Sequence, residues 1–350
     1  MTAAQTSYRN LDNWSKLAQF THADVSALQK AELTIGLHTV DFEGTPIDLL
    51  IVPRPGQPML VTFTGNKPRG PTAHPPFFSG VGVTPPDRKV SFVSIADPVL
   101  AESDCLTLGW YAGSRAVRAQ EAVQRVIEAL RMNLRPSRIL FFGGSGGGFA
   151  GLQAAYHTPG SGALVWNPQT DICEYDDAFV IEYARRAWDE QVRDLSSARE
   201  VIRQNAPAVL PDTFAFRGSR VLYLQNSRDW HVQRHMQPFL KRNSFLVPGG
   251  DYTGRVGQGC YLHLADWGEG HAPVPKHALT AMLRSLLDPK GPFWRDDDGA
   301  IASMIEQTFI EPVDPPEPPP PPPPVSNMRL LLRLARRGAG RVRRRLALGH

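Results

Sequence analysis

Between Phe142 and Phe149 the chain packs five glycines around one serine, in the order Gly143-Gly144-Ser145-Gly146-Gly147-Gly148. An apolar run, Arg138–Phe142, leads into this stretch, and a small-residue run, Phe149–His157, leads out of it. Backbone so poor in Cβ atoms loses the most conformational entropy on folding, and a chain keeps it where a sharp turn or a close approach leaves no room for side chains. The flanks extend the pattern. Leu33–Val40 and Ile47–Val52 read as a hairpin turning at Glu43-Gly44, and Met59–Thr64 and Val90–Ala96 as continuous apolar strands. Helical spacing follows in Ala116–Met132. The strand Ala163–Trp166, the strand Arg220–Leu224, the helix His231–Lys241, the strands Phe245–Val247 and Tyr261–Ala265 and the helix Val274–Leu287 complete the alternation. Strands alternating with helices predict an α/β fold, a mostly parallel sheet covered by helices on both faces. Thr170–Ala206, mixed in character, interrupts the alternation and is expected to form a cap.

Gly143-x-Ser145-x-Gly147 matches a nucleophile elbow, a sharp strand-to-helix turn that exposes a serine at the tip of a sheet. Two other readings fit the same residues. Gly146-x-Gly148-x-x-Gly151, with Asp171 about 20 residues on, matches a dinucleotide fingerprint. Against it, Gly146 comes four residues after Phe142, and Asp171 lies beyond the tip of the next strand. The third reading is a plain glycine turn that permits close packing. No Gly-Lys-Ser or Gly-Lys-Thr follows, so a P-loop is excluded.

An elbow requires an acid and then a histidine, each after a later strand. Arg220–Leu224 runs into Gln225-Asn226-Ser227-Arg228-Asp229, and Tyr261–Ala265 runs into the loop that holds His271. Asp229 has a second reading as the cap of the helix beginning near His231, and His271 one as a solvated loop residue. Asp266 and Glu269 are reserve candidates for the acid. Asp229, His231 and His235 are also spaced as a zinc trio would be, but the string His-Val-Gln-Arg-His lacks the glutamate of a His-Glu-x-x-His motif. Neither a metal nor a cofactor is expected.

On these residues the body, roughly Leu33 to Leu287, resembles the α/β-hydrolase fold proteins. The resemblance implies Ser145 as nucleophile, His271 as general base and Asp229 as the acid that orients it. It implies an oxyanion hole from the amide of Gly146 and a second donor in Thr64-Gly65-Asn66, where this chain lacks the His-Gly-Gly of many esterases. The glycine-rich elbow together with Asn226-x-x-Asp229-x-His231 is also similar to bacterial hydrolase-fold proteins associated with glycan biosynthesis, some of which transfer acetyl groups to sugars. The expected activity is serine-dependent acyl hydrolysis, of the esterase or thioesterase type. The alternatives are acyl transfer to a glycan or other hydroxyl, and a non-catalytic binding protein on the same fold. Trp110, Tyr111 and Asn167, with Trp166, Pro168 and Gln169 in the same string, are expected to shape the substrate pocket.

Charge divides the chain. The 350 residues carry a formal +4, yet eight arginines and no acid fall between Met328 and His350, so the remainder has 30 basic against 34 acidic residues. A body at −4 has no basic face for nucleic acid, and none is expected as a partner. Ten of the 32 prolines lie between Glu311 and Val325, which reads as a polyproline II spacer. Beyond it Leu330, Leu331, Leu334, Ala335, Val342, Leu346 and Leu348 share one face of a helix opposite most of the arginines, an arrangement suited to an anionic membrane surface through Arg329–Arg345. The resulting division is an N-terminal extension (1–32), a hydrolase-like body (33–290) with the cap at 170–206, a proline-rich linker (291–325) and a basic amphipathic tail (326–350). Three widely spaced cysteines, a start without a secretory apolar core and no long apolar run point to a cytoplasmic protein, held peripherally at the inner membrane surface.

Overall fold

The computed structural model describes residues 7–70, 73–85, 89–211 and 218–309. The proline-rich run and the arginine tail lie outside the described residues. Ten strands form one sheet in the order β1-β2-β3-β5-β4-β6-β7-β8-β10-β9. They are β1 (Gln19–His22), β2 (Gly36–Phe42), β3 (Thr45–Val52), β4 (Met59–Phe63), β5 (Ser91–Ile95), β6 (Ile139–Gly144), β7 (Gly162–Trp166), β8 (Arg220–Asn226), β9 (Tyr252–Gly257) and β10 (Cys260–Ala265). β2 and β3 pair antiparallel, as the hairpin reading predicts, whereas β5-β4-β6-β7-β8-β10 run parallel.

The central strands β4 and β5 are buried along their whole length because both faces are covered. Met59, Val61 and Phe63 feed one hydrophobic cluster, and Leu60 feeds the other, as the period of two along a strand requires. The first cluster packs under α1 (Val25–Lys30), α2 (Ala119–Leu134) and α3 (Gly146–His157). It also takes in α4 (Asp177–Tyr183), α5 (Leu195–Asn205) and α6 (Gln237–Arg242). The second packs under α7 (Lys276–Leu286), α8 (Pro292–Arg295) and α9 (Asp298–Phe309).

Three differences from the sequence reading have physical causes. Phe245–Val247 is not a strand. The edge strand is β9, whose sequence Tyr-Thr-Gly-Arg-Val-Gly has two glycines and weak strand propensity. The apolar triplet lies beside it, joined by the bond from Leu246 N to Val256 O, and Phe245 fills the space where Gly257 has no Cβ. Gln19–His22, within the N-terminal extension, adds a parallel strand to β2. Residues 292–309, within the stretch read as linker, form α8 and α9, which bury Phe293, Ile301 and Ile305 against the second cluster.

The sheet order sets the site. From β4 the chain moves to β5 on one side, and then to β6 on the other, so the strand order reverses between β4 and β6. Ligand sites of open α/β sheets form at the carboxyl ends of strands at such a point. Among the described residues no helix is long and apolar enough to cross a membrane.

Candidate active site

Ser145 lies between β6 and α3 with φ 55° and ψ −124°, a conformation few non-glycine residues adopt. Sterics explain the glycines around it. A Cβ on Gly143 would stand 2.3 Å from Gly147 O, and one on Gly147 would stand 2.6 Å from Phe63 O in β4. The two positions of the Gly-x-Ser-x-Gly pattern are therefore closed to any side chain. The dinucleotide reading fails on the same geometry. Gly146, Gly148 and Gly151 lie inside α3 rather than in a turn before it, and Asp171 caps Cys173 N at 2.9 Å beside Arg203.

Gly65 follows β4, and a Cβ there would come within 3.0 Å of Gly144 O and 3.9 Å of Gly146 N. The loop expected to hold the second oxyanion donor thus abuts the elbow, with Asn66 exposed next to it.

Asp229 and His271 come together across 42 residues of sequence. His271 Nδ1 lies 2.5 Å from Asp229 Oδ2, with the carboxylate fully buried and the histidine 37% exposed. The other oxygen of Asp229 accepts the amide of His231 at 3.0 Å. Asp229 thus bonds on both oxygens, to His271 and to the His231 amide, and the helical turn that begins at Val232 has no side-chain cap. Asp266 and Glu269, the reserve acids, pair instead with Arg228.

Ser145 Oγ is held by Gln169, which the sequence reading placed among residues shaping the pocket rather than on the serine. Gln169 Nε2 donates to it at 2.7 Å, and Trp110 Nε1 donates to Gln169 Oε1 at 3.1 Å, which fixes the direction of the amide. Burial, with Asp176 and Asp229 nearby, pushes the Tyr175 phenol up to about 12. Tyr175 packs edge-on against His231, centroids 5.7 Å apart, and His231 against His271 at 4.4 Å. No hydrogen bond joins Ser145 to His271 here; Ser145 Oγ is bonded to Gln169 and His271 to Asp229. The available signal for Gln169 was its place three residues past the tip of β7. For Tyr175, in a stretch without clear periodicity, there was none.

Trp110, Tyr111 and Asn167, expected to line a pocket, are at most 2% exposed. Their polar atoms bond to protein, so they support the site from behind. Trp110 and Tyr111 both sit at positive φ, 54° and 56°. This strained pair aims one ring at Gln169 and places the Tyr111 hydroxyl between Thr64 N, at 2.9 Å, and Ile95 O, at 2.7 Å. Asn167 Oδ1 accepts Asn226 N at 2.8 Å, its Nδ2 donates to Ala272 O at 2.9 Å, and its carbonyl faces His231 Nδ1 at 2.9 Å. Asn226 Nδ2 donates to Gly268 O and Gly270 O, both at 2.7 Å. Two buried asparagines thus hold the loop that carries His271.

The His231–His235 zinc trio takes another form. His235 Nδ1 accepts Thr170 N at 3.3 Å, and the ligand atoms that converge belong to Asp229, His231 and His271, within 4.8 Å of one another. In that group Asp229 Oδ2 is bound to His271, and His231 Nδ1 to Asn167 O. Burial holds His231 and His235 neutral by lowering each to about 3.

Neither the known family models nor the curated proteins match this sequence. Solved structures do. The chain is similar to capsule O-acetyltransferase of Neisseria meningitidis serogroup A in complex with CoA, at 12% identity and a TM-score of 0.52, over 75% of this chain and 100% of that one. It is also similar to an S-formylglutathione hydrolase from Agrobacterium tumefaciens, at 13% identity and a TM-score of 0.45, over 73% and 95% of the two chains. The chain has the α/β-hydrolase fold. Each is an enzyme by name, one a transferase and one a hydrolase.

Proposed function

We propose that this hydrolase-fold protein is a serine acyl-transfer enzyme acting through a Ser145 acyl-enzyme, with Asp229 and His271 completing the triad. The observation that carries the reading is the Asp229–His271 pair at 2.5 Å on the same sheet edge as a strained, glycine-flanked Ser145. Asp229 fixes the tautomer with the proton on Nδ1 and leaves Nε2 as the base. Ser145 Oγ attacks the acyl carbonyl as its proton passes to His271 Nε2. The oxyanion is met by the Gly146 amide, at the amino end of α3, and by the Gly65-Asn66 loop. His271 then protonates the leaving group, and water or a hydroxyl acceptor takes the acyl group.

Hydrolysis is the minimal form of this reaction. Transfer to a glycan hydroxyl is the second reading, favoured by the neighbour named a capsule O-acetyltransferase, and a CoA thioester would then be the donor. The basic sequence Met328–His350 supports a further role, holding the enzyme at an anionic membrane surface. Removing residues 326–350 should abolish co-sedimentation with anionic vesicles.

A fluorophosphonate probe tests the central step. Wild-type protein should be labelled at Ser145, and Ser145→Ala should lose both labelling and turnover. Full labelling of that variant would sink the assignment, and an unlabelled wild type would favour the non-catalytic alternative.

A further inference from the structure

A cleft of about 490 Å³ is lined by Asp176, Asp177, Ala178, Trp230 and Arg234. It joins the chemistry through two rings. Trp230 meets His231 with ring centroids 4.3 Å apart, and His231 meets His271 at 4.4 Å; Trp230 also stacks on Tyr175 at 5.6 Å with planes 27° apart. Trp230 also directly follows Asp229. The large hydrophobic residues exposed among those described are Met132, Trp230 and Leu246, and Trp230 is the aromatic one, 38% exposed. The Arg234 guanidinium lies 5.5 Å from its ring centre. One Asp176 oxygen caps Ala178 N at 3.0 Å, and Asp177 is exposed.

We infer that this cleft is the acceptor subsite and that its occupant is a neutral glycan chain. The inference rests on the acyl-enzyme reading above and names the acceptor class. A sugar ring presents an apolar C–H face and a rim of hydroxyls. The indole matches the face, the two carboxylates accept from hydroxyls in charge-assisted bonds, and the guanidinium fork donates to ring or hydroxyl oxygens. A lipid chain would leave three charged groups facing hydrocarbon, at a large desolvation cost. Two carboxylates against one guanidinium leave the cleft at −1, which disfavours uronic or phosphate-bearing polymers. In the transfer step, the sugar hydroxyl gives its proton to His271 while its oxygen attacks the acyl carbon. The bond to Ser145 Oγ then breaks, and Ser145 recovers the proton from His271.

Direct binding tests this without requiring turnover. Full-length Ser145→Ala is titrated by calorimetry with neutral trisaccharides of glucose, mannose and N-acetylglucosamine, and with trigalacturonate as the anionic arm. At least one neutral trisaccharide should bind saturably, and at least about tenfold (about 1.4 kcal/mol) more tightly than trigalacturonate. Adding Trp230→Ala, or the surface change Asp177→Asn that leaves the packed rings in place, should weaken it by a similar factor. Lack of saturation by all three neutral sugars, equal binding by both added variants, or preference for trigalacturonate would each overturn the proposal. Sugar binding by a protein whose wild type resists the fluorophosphonate would instead overturn the acyl-enzyme reading and leave the subsite standing.

Discussion

Two loops carry the groups proposed as nucleophile and base, and they are held in opposite ways. The elbow at Ser145 is fixed by exclusion, since Gly143 and Gly147 meet backbone atoms where any Cβ would go. The His271 loop is fixed by bonding, with Asn226, Asn167 and Trp267 supplying donors to the carbonyls of Gly268, Gly270 and Ala272. A strained turn between two strong elements needs only that nothing intrude. A loop away from any ladder has carbonyls without partners, and buried amide side chains provide them.

The sharpest way to break this contrast is to add one carbon to the elbow. Gly147→Ala drives a Cβ to within 2.6 Å of Phe63 O, so the variant should lose on the order of 3 kcal/mol and nearly all activity. A melting temperature within a degree of wild type would show that the elbow has room after all. On the bonded side, Asn226→Ala removes the donor from two carbonyls, and should cost about 2 kcal/mol. It should also lower kcat more than it raises KM, because it releases His271 rather than substrate; an unchanged kcat would mean that Asn167 and Trp267 suffice.

Acid separates the two loops further. Burial lowers His231 and His235 to about 3 and His263 to about 4, and it also lowers His22 and His38. Their folded pKa values lie below the unfolded value near 6.5, so the unfolded chain binds more protons as pH falls. Stability should be fully present above about 6.5 and decline toward pH 4, by up to roughly 1.4 kcal/mol per pH unit for each such histidine. Gly143–Phe149 has no titratable side chain. Hydrogen exchange at pH 5 should therefore open the His271 loop before the amino end of α3, and the reverse order would refute the contrast. The smallest effect is expected from Gln169→Ala, about 1 kcal/mol in stability. Its activity should fall if the amide orients Ser145 for attack, and rise if the bond restrains the serine.

The elbow was legible in the sequence because its constraint is local. A strand, a turn without Cβ atoms and a helix are all written within about 20 residues. The acid and the histidine were legible through their positions after later strands. The bond from Gln169 to Ser145 and the supporting role of Trp110 were not, because each works through a partner distant in sequence. The edge strand β9 was missed for another reason. A strand with glycines pairs because its neighbour offers a free edge, and that information lies in β10.

The sequence by itself determined the parallel sheet, the strained serine and the chain order of acid and base, since periodicity and glycine placement act within single elements. Only the tertiary structure decided which oxygen of Asp229 meets His271, which side chain holds Ser145, and that Trp230 stands exposed at a cleft. Those facts depend on where the ends of β7, β8 and β10 and the turn before α4 converge, and side-chain contacts across separate elements leave no periodic trace in the chain.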